Sequence, residues 1–197
     1  MTLTQAAFGQ RSLLKDAGLV IGGSLFIALA AQVSIPMWPV PMTLQSLAII
    51  IVGLTYGARL GAITLLAYLA QGLAGLPVFS NGGAGVAYFF GPTCGFLVGF
   101  VLTAWVAGLG ADRGLTKRFL PAFLVALVAG AAMYIPGVAW PMGAATLFGI
   151  DAGWVGTSAA RIWTGWVSPF LLGDVIKAAL AALVVTGGWA AMKSRKA

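Results

Sequence analysis

Tyr56-Gly57-Ala58-Arg59-Leu60-Gly61 is the turn that decides the fold. Arg59 is the only charged residue between Ala17 and Ala111, and it separates two charge-free intervals. Each interval is long enough for two membrane spans of about 20 residues, so Arg59 marks a return at one membrane surface. Composition agrees: 60% of the 197 residues are hydrophobic and 8% are charged, against about 25% charged in soluble domains. The expected class is an all-α polytopic membrane protein with its side chains in a lipid bilayer.

Upstream of the turn, a first span covers about 17 to 35 and a second about 43 to 57, separated by Pro36-Met37-Trp38-Pro39-Val40-Pro41. Three prolines remove backbone donors and force extended geometry on their predecessors, so no helix crosses that loop. Downstream, Leu60 to Gly75 forms a third span and Gly91-Pro92-Thr93-Cys94 opens a fourth. Phe119 to Ile135 forms a fifth, and the sixth runs from Pro169 to Trp189. The stretch 136 to 168, rich in Pro and Trp, reads as an outer segment with short interfacial helices.

Six spans beginning in the cytoplasm place Arg11, Lys15, Arg59, Arg113, Lys117, Arg118, Lys193, Arg195 and Lys196 inside, and leave Arg161 and Asp151 outside. That is the positive-inside pattern, with both termini cytoplasmic. The chain then forms a single membrane domain: a cytoplasmic segment 1–16, a six-helix bundle 17–190 and a basic tail 191–197. Arg11 and Lys15 ahead of an apolar run, with Ala28-Leu29-Ala30 after it, imitate a signal peptide. Because the rest of the chain is equally apolar, a retained first helix is expected. The formal charge of +7 is scattered over linkers and ends, which speaks against nucleic acid as a partner.

With one cysteine, Cys94, and no histidine, the chain has neither an intrachain disulfide nor a Cys/His zinc set, and no metal or cofactor is expected. No lysine follows a glycine, so no phosphate-binding loop is present and any ATP motor must come from another chain. The spans hold one carboxylate and no histidine, which argues against acid/base catalysis and an enzyme and leaves no catalytic residue to nominate.

What remains is polar chemistry inside apolar segments. Pro169-Phe170-Leu171-Leu172-Gly173-Asp174-Val175-Ile176-Lys177 carries a carboxylate and an ammonium three residues apart on one helical face. Each is costly at membrane depth by roughly 2.5 to 3.5 kcal/mol, so the pair needs a partner, a cavity or a ligand. Asp174 lies roughly 8 Å below the outer end of the span and Lys177 about one turn deeper. A plain ion pair serving only the fold is the competing reading. Gln45, at the polar entry of the second span, faces either a cavity or the headgroup layer.

Leu76-Pro77-Val78-Phe79-Ser80-Asn81-Gly82-Gly83-Ala84-Gly85-Val86-Ala87-Tyr88 is too glycine-rich for a helix and too apolar for a solvated loop. It is expected to fold back over a pocket, offering Asn81 and Tyr88, although a plain outer connector is the alternative. Gly91, Gly95 and Gly99 give the fourth span a flat packing face. Ser24 and Ala28 do the same for the first, either within the chain or toward a partner helix.

Four motifs in order carry a resemblance: Pro39-Val40-Pro41-Met42-Thr43-Leu44-Gln45; Gly75-Leu76-Pro77-Val78-Phe79; Gly91-Pro92-Thr93-Cys94-Gly95-Phe96-Leu97-Val98-Gly99-Phe100; and Gly173-Asp174-Val175-Ile176-Lys177. Over residues 17 to 190 the chain resembles the BioY family of biotin-specific S components of energy-coupling-factor (ECF) transporters. The resemblance implies a six-helix protein of the cell's cytoplasmic membrane that captures biotin from outside. It also implies work with a transmembrane coupling protein and ATPase subunits. Asn81, Asp174 and Lys177 fall at the family's biotin-contacting positions. Ser24 and Ala28 stand nearest to its Ala-x-x-x-Ala partner surface, and Cys94 replaces the usual glycine. An S component for another small vitamin and a structural membrane subunit are the other classes in view.

Overall fold

The computed structural model describes residues 1–9 and 12–194. Arg11, Arg195 and Lys196, counted above among the inner positive charges, lie outside the described residues, as does the end of the basic tail. Ten α-helices order the described chain: α1 (Leu3–Phe8), α2 (Leu13–Gln32), α3 (Gln45–Tyr56), α4 (Ala58–Leu73), α5 (Gly85–Phe89), α6 (Cys94–Asp112), α7 (Phe119–Ala132), α8 (Tyr134–Met142), α9 (Ala159–Ile162) and α10 (Ser168–Ser194). Four helical stretches are long and apolar enough to cross a membrane: Leu13–Gln32, Cys94–Asp112, Phe119–Met142 and Ala159–Ser194. The shorter apolar helices α3 and α4 complete this all-α, multi-pass membrane protein.

The centre is α6, packed against α3, α4, α7 and α8. Its glycine face has the structural role read from the sequence. A side chain at Gly99 would come within 2.7 Å of the Met133 carbonyl, and one at Gly95 would collide with the Pro136 carbonyl. The α6–α8 approach is therefore closed to any larger residue.

At 12 residues α3 spans only about 18 Å, short of the roughly 30 Å hydrocarbon layer. The irregular stretch before it takes up the remaining depth. There, Ser34–Ile35 pairs antiparallel with Met42–Thr43, with Ser34 opposite Thr43, which pins both ends of the triple-proline loop. Its inner part is tolerated there because Pro39 and Val40 are buried and Val40 to Thr43 line a cavity.

Two expected helix boundaries are corrected, both at prolines. The fifth span does not stop at Ile135-Pro136: α8 resumes at once and reaches Met142. Pro136 cannot donate to Ala132, so the ladder breaks there, but the early positions of a new helix need no donor. The sixth span does not begin near Pro169. Its helical course starts at Ala159 and crosses a π-type turn over Trp163–Val167, placed just ahead of the donor-less Pro169. The outer segment shrinks accordingly to residues 143 to 158.

The N-terminal segment is not a free surface helix. Thr2 and Gln5 form a reciprocal cap on α1, Thr2 is 1% exposed, and the Thr4 hydroxyl donates to the Thr55 carbonyl. Thus α1 is tucked against α3 and α10.

Of the two readings of the small pair on α2, the structure has the one within the chain. Ser24 is fully buried, donating to the Ile21 carbonyl and accepting from Gln71 Nε2 at 3.0 Å, while Ala28 is half-buried against the core. Both pack within the chain because Gly23 beside them lets α4 come close; an added Cβ there would lie 2.8 Å from Thr64. Gly18 and Gly22 are among the small residues that face outward on α2, flanked by exposed Ile21, Leu25 and Leu29.

Candidate functional site

Six segments converge on one cavity: the end of the proline loop, the first turn of α3, the glycine-rich loop with α5, the start of α6, the α7–α8 junction and α10. The empty space counted out into its open mouth is about 570 Å³. Its sides are apolar and aromatic, with Met42, Phe96, Phe100 and Phe170 among them. Polar groups collect at one wall.

That wall is built from the two ionisable residues of α10. Lys177, 7% exposed, donates to the Ser46 hydroxyl at 3.1 Å and lies 3.8 Å from Asp174 Oδ1. The other carboxylate oxygen of Asp174 accepts from the Tyr134 hydroxyl at 2.5 Å. A lone carboxylate or ammonium here would be untenable; together, with a phenol and a hydroxyl, each charge keeps a partner and still has unused capacity. Among the described residues, Lys177 has three donors and one close acceptor, and Asp174 Oδ1 has only the long contact to Lys177.

Gln45 stands beside them. Tyr68 donates to the Val78 carbonyl at 2.9 Å, so its oxygen must accept from Gln45 Nε2 at 2.8 Å. The amide nitrogen of Gln45 is thereby fixed on Tyr68, and its carbonyl oxygen makes no hydrogen bond among the described residues. The wall therefore presents two acceptors, from Asp174 and Gln45, and one cation.

The glycine-rich loop closes one side, as its composition suggested. Phe79 is fully buried, stacked on Tyr88 at 5.4 Å and edge-on to Tyr68 at 5.6 Å. Gly72 makes room for it, since any side chain there would meet the Phe79 ring. Gln32 of α2 holds the loop by both ends of its amide, donating to the Phe79 carbonyl at 3.0 Å and accepting from Gly82 N at 2.9 Å.

Of the candidate residues, Asp174, Lys177, Gln45 and Tyr88 all line the cavity. Asn81 does not: it is exposed, in left-handed backbone (φ 56°), with its side-chain oxygen accepting from Ser34 Oγ at 2.8 Å. The neighbouring Ser80 lines the cavity instead, 5% exposed, its hydroxyl without a hydrogen-bond partner among the described residues. Sequence reasoning missed Tyr134, although it is the only polar side chain between Phe119 and Ala145. It also passed over Thr93 and did not carry Ser46 to the site.

Comparison with known proteins gives a consistent result. The BioY family model matches residues 3–194. A probable biotin transporter BioY of Pyrococcus horikoshii is 35% identical over 173 residues, covering 86% of this chain and 93% of that protein. The biotin transporter BioY of Rhizobium etli is 37% identical over 166 residues, covering 80% and 82%. Among solved structures, the crystal structure of the S-component for biotin from an ECF-type ABC transporter superposes with a TM-score of 0.72 at 25% identity, over 95% of this chain and 96% of that one.

Proposed function

The chain belongs to the BioY family, and from that premise we propose that it is the biotin-capturing S component of an ECF transporter, a transport subunit and not an enzyme. The observation that carries the reading is the polar wall of Asp174, Lys177, Tyr134 and Gln45 in a largely apolar and aromatic cavity. Biotin has two ureido N–H donors, an apolar sulfur ring and a carboxylate tail. Asp174 and the Gln45 carbonyl accept from the ureido group. Lys177 meets the carboxylate or keeps Asp174 ionised, and Phe96, Phe100 and Tyr88 enclose the ring. Asn81 joins the contact set only when the glycine-rich loop turns it inward from Ser34.

The remaining topology follows from charge and length. Six spans, α2, α3, α4, α6, α7–α8 and α9–α10, form one membrane domain over residues 1–197, with both termini in the cytoplasm and the cavity opening outward. The protein resides in the cytoplasmic membrane and works with a transmembrane coupling protein and ATPase subunits. The outward Gly18–Gly22 face of α2 is the surface at which a partner helix can approach most closely.

The test is equilibrium binding of biotin to the detergent-purified chain, with Lys177→Ala alongside and other vitamins as competitors. Tight, biotin-selective binding that is lost in the variant supports the reading. A folded parent that binds no biotin, or binds another vitamin better, overturns it.

A further inference from the structure

A second cavity lies on the other side of the triple-proline loop, lined by Trp38, Pro39, Trp154, Arg161, Thr164 and Trp166 among others. It encloses about 740 Å³ counted out to its open mouth, and no carboxylate lines it. Arg161 is exposed and makes no ion pair among the described residues. Trp166 is 5% exposed, and its buried indole N–H has no hydrogen-bond partner among the described residues. Trp38 is held out with 82% of its surface exposed. The lining thus offers flat apolar rings and unspent donors with no opposing anion, which suits an anionic group on an apolar body.

Its position ties it to the inner cavity. Trp38 and Pro39 line the outer space while the next two residues, Val40 and Pro41, line the inner one, so the loop is a partition one backbone thick. Pro39 rests against Gly165 in the π-type turn, where a Cβ would lie 3.2 Å from its ring. Arg161 stands about 24 Å above Lys177 along the same helical course, at the level of the headgroups.

We propose that the outer cavity is a waiting site for the ligand of the inner one. Arg161 takes its carboxylate and Trp38 and Trp154 its apolar body before it passes the Pro39–Val40 step. The proposal rests on the biotin reading above. A charge that acts before the inner site is entered speeds entry and exit alike and cancels from the equilibrium.

The experiment is stopped-flow binding of biotin to the full chain in nanodiscs of uncharged phosphatidylcholine, comparing the parent, Arg161→Gln and Trp38→Ala. It is run at about 20 mM and about 300 mM salt, with biotin methyl ester as an uncharged control. Arg161→Gln is expected to slow association and dissociation by the same factor, about three- to tenfold, and to flatten the salt dependence. Affinity should stay within twofold, and the ester should enter the parent as slowly as biotin enters the variant. An unchanged association rate, an ester as fast as biotin, or an affinity loss confined to dissociation overturns the waiting site. A parent that binds no biotin overturns the biotin reading itself, an outcome distinct from a parent that binds while Arg161 is indifferent.

Discussion

Tyr134 donates its hydroxyl to Oδ2 of Asp174 across 2.5 Å, tying the first turn of α8 to the cavity side of α10. This bond fixes the carboxylate plane and leaves Oδ1, 3.8 Å from Lys177, as the oxygen turned to a ligand's N–H. Removing a hydrogen bond to a charged group costs about 1.5 to 3 kcal/mol, so Tyr134→Phe should weaken biotin binding about ten- to a hundredfold. Calorimetric titration of the purified variant measures this; an affinity equal to the parent's would show that Tyr134 does not orient the carboxylate.

Asp174 and Lys177 should separate stability from binding. Lys177→Ala leaves a buried carboxylate without its cation, a loss of about 3 to 5 kcal/mol for a buried pair, and should lower the thermal unfolding midpoint in detergent. Adding Asp174→Asn to Lys177→Met removes both charges and should recover most of that midpoint while biotin binding stays lost. Binding by the double variant would reduce the pair to a fold element.

The two small-residue pairs on α2 make opposite forecasts. Gly22→Leu adds bulk to an outward face with nothing within 4 Å, so biotin binding should persist while assembly with coupling subunits and ATP-driven uptake fail. Ser24→Leu overfills a buried site that accepts from Gln71, and overpacking of about 1 to 3 kcal/mol should appear as lowered stability. Co-purification with the partner subunits and thermal unfolding, run on both variants, distinguish the two faces. Assembly unaffected by Gly22→Leu would remove α2 as the partner surface.

Asn81→Ala should change biotin affinity by less than about threefold, because an exposed bond to Ser34 is worth about 0.5 to 1.5 kcal/mol at most and lies outside the cavity. A tenfold loss in the same titration would mean that the bound state turns this side chain inward.

Much of the site was legible because polarity inside lipid has few explanations. Asp174 and Lys177 stood out as charges within an apolar run, and Gln45 as an amide at the edge of another. Asn81 was assigned by its amide and by the family resemblance; the left-handed turn at Asn81 and the bond to Ser34, which place it outside the cavity, are tertiary facts. Ser24 and Ala28 show a similar limit. Spacing reveals that a face is flat, not which way it points, and α2 carries a second flat pair four residues apart at Gly18 and Gly22. The boundaries at Pro136 and Pro169 failed because a proline's missing donor stops a helix only where the chain cannot restart it or widen one turn ahead of it.

The 27 residues of α10 run without a break from Ser168 to Ser194. The polar wall and the far end of that helix are therefore parts of one rigid lever. About 25 Å separates Lys177 from Ser194, so a tilt of about 5° pivoting at the far end displaces the ammonium by about 2 Å. That distance is enough to part Lys177 from Ser46 and Asp174 from Tyr134, both of which are held by other helices. A force applied at the far end is thus felt directly at the polar wall of the cavity, with no signal relayed through the core.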